Sequence, residues 1–128
     1  MAGLDITPRL PAGRNLIQGY GDRRFRIGGE SLQGSRIVFP DRTVPWSISV
    51  AQDVTLESLR EVTAAAREVR ILLVGCGRHF SPPPNALGEA LRAHDIYLEW
   101  MDTGAACRTF NVLLLEDREV AAALIAVD

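Results

Sequence analysis

The stretch Ile71-Leu-Leu-Val-Gly75, running on into Cys76-Gly77-Arg78-His79, decides the fold. Four consecutive apolar residues closed by a glycine are too few for a helix, and a strand apolar on both faces is one covered on both faces, as in a parallel sheet. Upstream, Leu56, Leu59, Val62, Ala66 and Val69 recur at three- and four-residue spacing, which predicts a helix of about 14 residues with one buried stripe. Thr55 is placed to cap it and Glu57 to sit near the positive end of its dipole. Downstream, proline is tolerated at a helix start and not inside one, so a second helix should begin near the last of Pro82-Pro83-Pro84, with Leu87 and Leu91 on one face. Tyr97–Met101 is the next strand, and residues 103–115 form a third helix with Ala106, Phe110, Leu113 and Leu114 inward. Alanines 121–123 favour a helix by propensity, but Val120, Leu124, Ile125, Val127 and the turn-like Glu116-Asp117-Arg118 mark 120–127 as a last strand. Strands joined through single helices by short links pair in parallel by right-handed crossovers.

The first half has a different texture. LIQGY (16–20), FRIGG (25–29), SRIVF (35–39) and PWSISV (45–50) are short β-type runs separated by Gly, Asp and Pro, which predict an antiparallel meander. Residues 1–15, with Pro8, Pro11 and Gly13, read as an extended arm. The expected architecture is a single α/β domain over 1–128, an N-terminal antiparallel β-meander joined to a C-terminal parallel βαβαβ unit.

A chain of 128 residues, 47% hydrophobic and 23% charged, can build one core without metals or disulfides. Its net charge of −2 supplies no global positive field, so nucleic acid is not an expected partner. Arg23, Arg24 and Arg26 cluster in a chain without lysine, which reads as a solvated strand edge or a local anion-facing strip. No apolar run approaches the roughly 20 residues needed to span a bilayer. The N-terminus has neither a basic-then-apolar leader nor an Arg/Ser-rich transit pattern, so the expected location is cytoplasmic. Two cysteines without a Cys-x-x-Cys pair, and two histidines elsewhere, imply reduced thiols and no metal or cofactor.

In an open parallel sheet, ligand sites form beyond the carboxyl ends of the strands. If 71–75 and 97–101 are neighbours, the loops after them share a rim, and the candidate pocket is Gly75, Cys76, Gly77, Arg78, His79, Asp102, Thr103, Gly104, Cys107, Arg108 and Asn111. Gly75-Cys76-Gly77 resembles the opening of a dinucleotide-binding turn, but Phe80 stands where the third glycine belongs, so the glycines read as conformational. The functional reading of the helix start at Thr103 is an anion cradle, with Arg108 holding a carboxylate or phosphate and Asn111, three residues on, orienting it. The structural reading makes Asp102 and Thr103 capping residues, Arg108 a partner of Asp102 or Glu99, and Cys107 a small core residue. A thiolate at Cys76 or Cys107 would need a lowered pKa, and no acid follows to orient His79 as its base.

GYGDRRFRIGG (19–29), GSRIVFP (34–40) with Trp46 soon after, ILLVGCG (71–77) and above all MDTGAACRTFNVLL (101–114) together resemble the Mth-type domain family, over about Ile17 to Ile125. That family's eukaryotic relatives include a mitochondrial complex I assembly factor and an adipogenesis-associated protein. The resemblance implies a three-layer α/β fold with a meander packed near a mixed central sheet, and brings no established catalytic residue, cofactor or substrate. Pro82–Pro84 departs from the family pattern. The expected function is a non-enzymatic module engaging a protein partner. The alternative is a binder of, or an enzyme acting on, a small anion at the strand-end crevice. Oligomeric state is left open.

Overall fold

The computed structural model describes residues 14–128. In the small sheet, β1 (Ile17–Gly21), β2 (Arg24–Ile27) and β3 (Glu30–Gln33) pair antiparallel in the order β1-β2-β3. A five-stranded sheet is ordered β5-β4-β8-β6-β7, from β4 (Arg36–Phe39), β5 (Arg42–Pro45), β6 (Ile71–Gly75), β7 (Tyr97–Met101) and β8 (Val120–Leu124). β6 runs parallel to both β7 and β8, whereas β4 runs antiparallel to β8 and β5, so the central sheet is mixed. The decisive expectation holds: Ile71 faces Tyr97 and Gly75 faces Met101, side by side and in the same sense.

The four β-type runs do not form one meander. In β2, Phe25 and Ile27 are buried and Arg24 and Arg26 exposed, so β2 presents a single face to the core. In β4, Ile37, Val38 and Phe39 are all buried, and a strand buried on both faces belongs inside a covered sheet. β4 therefore leaves the small sheet at Gly34 (φ +84°) and pairs with β8. The PWSISV run contributes only Pro45 to a strand. Trp46 instead turns inward and donates its indole N–H to the Ser58 carbonyl at 2.8 Å.

The helix expected over 56–69 is broken into a 3₁₀ turn (Glu57–Leu59), α1 (Arg60–Ala64) and further turns. Leu59 and Ala65 leave helical geometry at either end of α1 (ψ +21° and +25°), yet Leu59, Val62 and Val69 are all fully buried. Successive turns bury the same stripe as a continuous helix, so periodicity cannot separate the two. Thr55 does cap: its hydroxyl accepts from the Ser58 N–H at 3.0 Å while the Ser58 hydroxyl accepts from the Thr55 N–H at 2.9 Å. The second helix, α2 (Leu87–Arg92), starts three residues beyond Pro84, because Ala86 is left-handed (φ +66°). α3 (Thr103–Leu115) stands as expected, and the last strand forms but ends at Leu124 rather than 127; Ala121, Ala122 and Ala123 are fully buried, so tertiary burial overrides their helical propensity.

The central sheet separates two cores. One face packs Ile37, Leu72 and Val74 with Trp46, Leu59, Val62 and the α2 residues Leu87 and Leu91. The other packs Val38, Leu73 and Ala122 under α3 and the small sheet, through Phe110, Leu114, Phe25 and Ile27. Three layers result. The expected arm at 1–15 lies outside the described residues except for its end, where Arg14 meets Asp117 at 2.8 Å and the Asn15 N–H donates to Pro40 O at 2.7 Å.

One side chain joins the small sheet to α3. Asn111 Oδ1 accepts from the Ile17 N–H at 2.9 Å and its Nδ2 donates to the Ile17 carbonyl at 2.8 Å. The amide thus acts as one rung of a strand at the outer edge of β1. Asn111→Ala leaves both main-chain groups unpaired and should cost about 1–3 kcal/mol in urea unfolding, with amide exchange accelerated in β1 ahead of β6.

Candidate functional site

The loops after β6 and β7 do meet, and they are stitched together by hydrogen bonds. The Cys76 N–H donates to Met101 O at 2.8 Å, and the Thr103 N–H donates to Gly77 O at 2.9 Å. The Thr103 hydroxyl accepts from the Gly77 N–H at 3.1 Å and donates to Ile125 O at 2.8 Å, just past β8. Thr103 is fully buried. One hydroxyl therefore links the ends of all three parallel strands. Gly75 allows this contact, because a Cβ there would lie 2.8 Å from Thr103 Cα and 3.0 Å from its hydroxyl. Gly77 has a different role, a φ of +122° that turns the chain out of the sheet.

The start of α3 is occupied by the chain's own groups. Asp102 is the N-cap, its carboxylate accepting the Ala105 N–H at 2.9 Å. Gly104 is buried beneath Tyr20: a Cβ there would meet the Tyr20 hydroxyl and lie 3.3 Å from Arg108 Nη1. Arg108 is exposed and forms no ion pair with Asp102 or Glu99 among the described residues. Asn111 is engaged with Ile17 rather than aimed at the helix start.

Both thiols are free and buried. Cys76 Sγ contacts His79 O at 3.6 Å, and the His79 side chain is exposed. Burial pushes the Cys107 thiol from 9.0 up to about 12, against a smaller lowering influence of Arg108. No cluster of three or more metal-ligating side chains occurs among the described residues.

An open crevice of about 290 Å³ does lie on this rim, lined by Cys76, Gly77 and Arg78, the segment Ile125–Asp128, Ser49–Gln52, and Arg23. Asp102, Thr103, Cys107, Arg108 and Asn111 do not line it. Arg23 reaches it because Asp22 and Arg23 form a left-handed turn (φ +50° and +58°) whose Arg23 N–H donates to Val127 O at 2.7 Å. Arg23 sits 3.5 Å from the Asp128 carboxylate. Sequence reasoning missed Tyr20, and it flagged Arg23 only as part of a possible anion-facing strip without placing it on this rim beside the segment after β8. A positive-φ pair at Asp22-Arg23 has no compositional signature, whereas Gly104 one turn from Arg108 was a legible sign of close approach.

Between the two pKa values only the unfolded thiol ionises, which draws the equilibrium away from the folded state and removes a contribution to stability that burial of the neutral thiol makes. Below pH 9 that contribution is fully present, and it is lost as pH rises toward 12. Between those limits wild-type stability should fall more steeply with pH than that of Cys107→Ala, as urea melts at successive pH values would show. At pH 7.5 native Cys107 should resist iodoacetamide until the protein is unfolded.

The family described as "Protein of unknown function (DUF498/DUF598)" matches residues 17–125. An uncharacterized protein of Rhodobacter capsulatus is 35% identical over 122 residues, covering 94% of this chain and 93% of its own. Human NADH dehydrogenase [ubiquinone] 1 alpha subcomplex assembly factor 3 is 31% identical over 122 residues, covering 95% of this chain; the chain spans 66% of that factor's length. A solution structure of a Bordetella pertussis protein described as a Mth938-like domain superimposes with a TM-score of 0.81 at 23% identity, over 95% of this chain and 92% of that one, which establishes the common fold. With its mixed α/β architecture and a match running from β1 to just past β8, this chain belongs to the DUF498/DUF598 family and carries the Mth938-like fold.

Proposed function

We propose that this chain is a protein-binding module of the assembly-factor type rather than an enzyme. The observation that carries the reading is the use made of its reactive-looking side chains. Thr103 links strand ends, Asp102 caps α3, Asn111 pairs with the β1 backbone and Cys107 is a buried neutral thiol. These groups are taken up by the fold itself. Relatives named as assembly factors of an NADH dehydrogenase subcomplex support a partner that is itself a protein. No helix among the described residues is long and apolar enough to cross a membrane. Two free thiols support a reducing, cytosol-type compartment.

The crevice supports a second reading, a small-anion site. Arg78 lines it without an ion pair among the described residues, beside the Asp128-paired Arg23. Under this reading the anion-facing cation is Arg78 rather than Arg108.

Affinity purification of the tagged full chain, run beside thermal melts with inorganic phosphate and with carboxylates, separates the two. The protein-binding reading expects a stoichiometric partner retained by Arg78→Ala and Arg108→Ala, and melting points unmoved by anions. A rise of several degrees with phosphate or a carboxylate, abolished by Arg78→Ala and with no partner captured, would instead establish the anion site.

A further inference from the structure

We propose that the open edge of β7 receives an extended segment of a partner protein, one with a basic residue flanked at two-residue spacing by apolar ones. The inference rests on the protein-binding reading and names where and what that partner presents.

β7 is the outermost strand on its side of the central sheet. The Tyr97 N–H donates to Arg70 O and Met101 O accepts from the Cys76 N–H, both at 2.8 Å, so residues 97, 99 and 101 turn their main-chain groups toward β6. By the alternation of a parallel ladder, Leu98 and Trp100 turn their N–H and C=O groups outward. Among the described residues no main-chain group pairs with them, and a row of this kind is a template for another strand.

The remaining edges are guarded. β5 ends in Pro45 and carries Arg42, which lies 2.8 Å from Asp41 and 3.6 Å from Glu68. β1 is paired by Asn111 at Ile17, and β3 presents Glu30, Ser31 and Gln33. β7 has neither a proline nor a basic residue, and its one charged residue, Glu99, stands between apolar neighbours.

Beside this edge, α3 covers β6 and β8 but scarcely reaches β7, leaving a largely apolar groove of about 690 Å³. Ile71, Leu73, Tyr97, Met101 and Leu113 line it, with Glu99 at the strand edge and Thr109 and Arg118 on the far wall, and Tyr97 is 54% exposed. Side chains on one face of an added strand would lie against Tyr97 and Met101, over this groove. Leu98 and Trp100 project to the opposite face, against the other core.

Charge selects the occupant. Glu99 is the exposed centre of the edge and forms no ion pair among the described residues. A second copy pairing antiparallel through both Leu98 and Trp100 would set Glu99 directly opposite its own counterpart, a like-charge cross-strand pair. A lysine or arginine opposite Glu99 reverses that sign, and apolar residues two positions to either side then fall opposite Tyr97 and Met101.

The test titrates the full chain with two acetylated, amidated peptides, Thr-Val-Thr-Lys-Thr-Val-Thr and its counterpart with Glu for Lys, followed by amide NMR and hydrogen exchange. In the free protein the Leu98 and Trp100 amides should exchange quickly at every protein concentration. The Lys peptide should shift and protect those two amides ahead of all others. Glu99→Lys should weaken the Lys peptide about tenfold and invert the preference in favour of the Glu peptide. Shifts centred elsewhere, no binding, or an unchanged preference in Glu99→Lys overturn the proposal. So does concentration-dependent protection in the free protein, which would place a second copy on the edge, or concentration-independent protection, which would mean the chain covers its own edge. A natural partner captured equally by wild type and Glu99→Lys would overturn this surface while leaving the protein-binding reading intact.

Discussion

The buried hydroxyl of Thr103 is the point on which the architecture turns. Three parallel strands end within its reach, and it satisfies one main-chain donor and one main-chain acceptor that would otherwise stand unpaired where the chain leaves the sheet. The contact requires that residue 75 have no side chain. It also fixes where α3 begins, since the Thr103 N–H is held by Gly77 and the next turn is capped by Asp102. With its start set, α3 lies across β6 and β8, and its outer flank takes hold of β1 through Asn111. The small sheet follows, closing over Val38 and Phe110.

This arrangement separates strength from access. At the usual ligand-binding end of a parallel sheet, Asp102 and Thr103 have backbone partners, Arg78 and Arg108 form no ion pair among the described residues, and a shallow crevice bordered by Arg78 remains open. A largely apolar groove lies along β7, bordered by Thr109 and Leu113 of α3, with Met101 half-buried and Tyr97 exposed. On the proposed reading, the exposed flank rather than the hydrogen-bonded rim would meet a protein partner.

How far the sequence could be read depended on whether a signal was local. ILLVG, with both faces apolar, marked a central parallel strand, and the spacing of Ala106, Phe110 and Leu114 marked α3, because each depends on residues near in the chain. β4 was harder. SRIVF looks like its meander neighbours, and only Val38, apolar where an exposed face would be polar, shows that it belongs in the central sheet. The break in the 56–69 helix had no signature, since turns and helix bury the same stripe. At the candidate site the residues were legible but their partners were not. Asp102 as a cap could be read from position alone, whereas Asn111 pairing with Ile17 joins residues 94 apart, and Tyr20 over Gly104 is likewise a contact the chain order does not reveal.

The direct test of a rim held by one hydroxyl is equilibrium urea unfolding of Thr103→Val, which keeps the shape and removes the hydroxyl group. A loss of about 2–3 kcal/mol is expected, from a buried N–H and C=O left without their partner. Stability within about 0.5 kcal/mol of wild type, the range of an ordinary surface substitution, would contradict the claim that Thr103 binds the strand ends together.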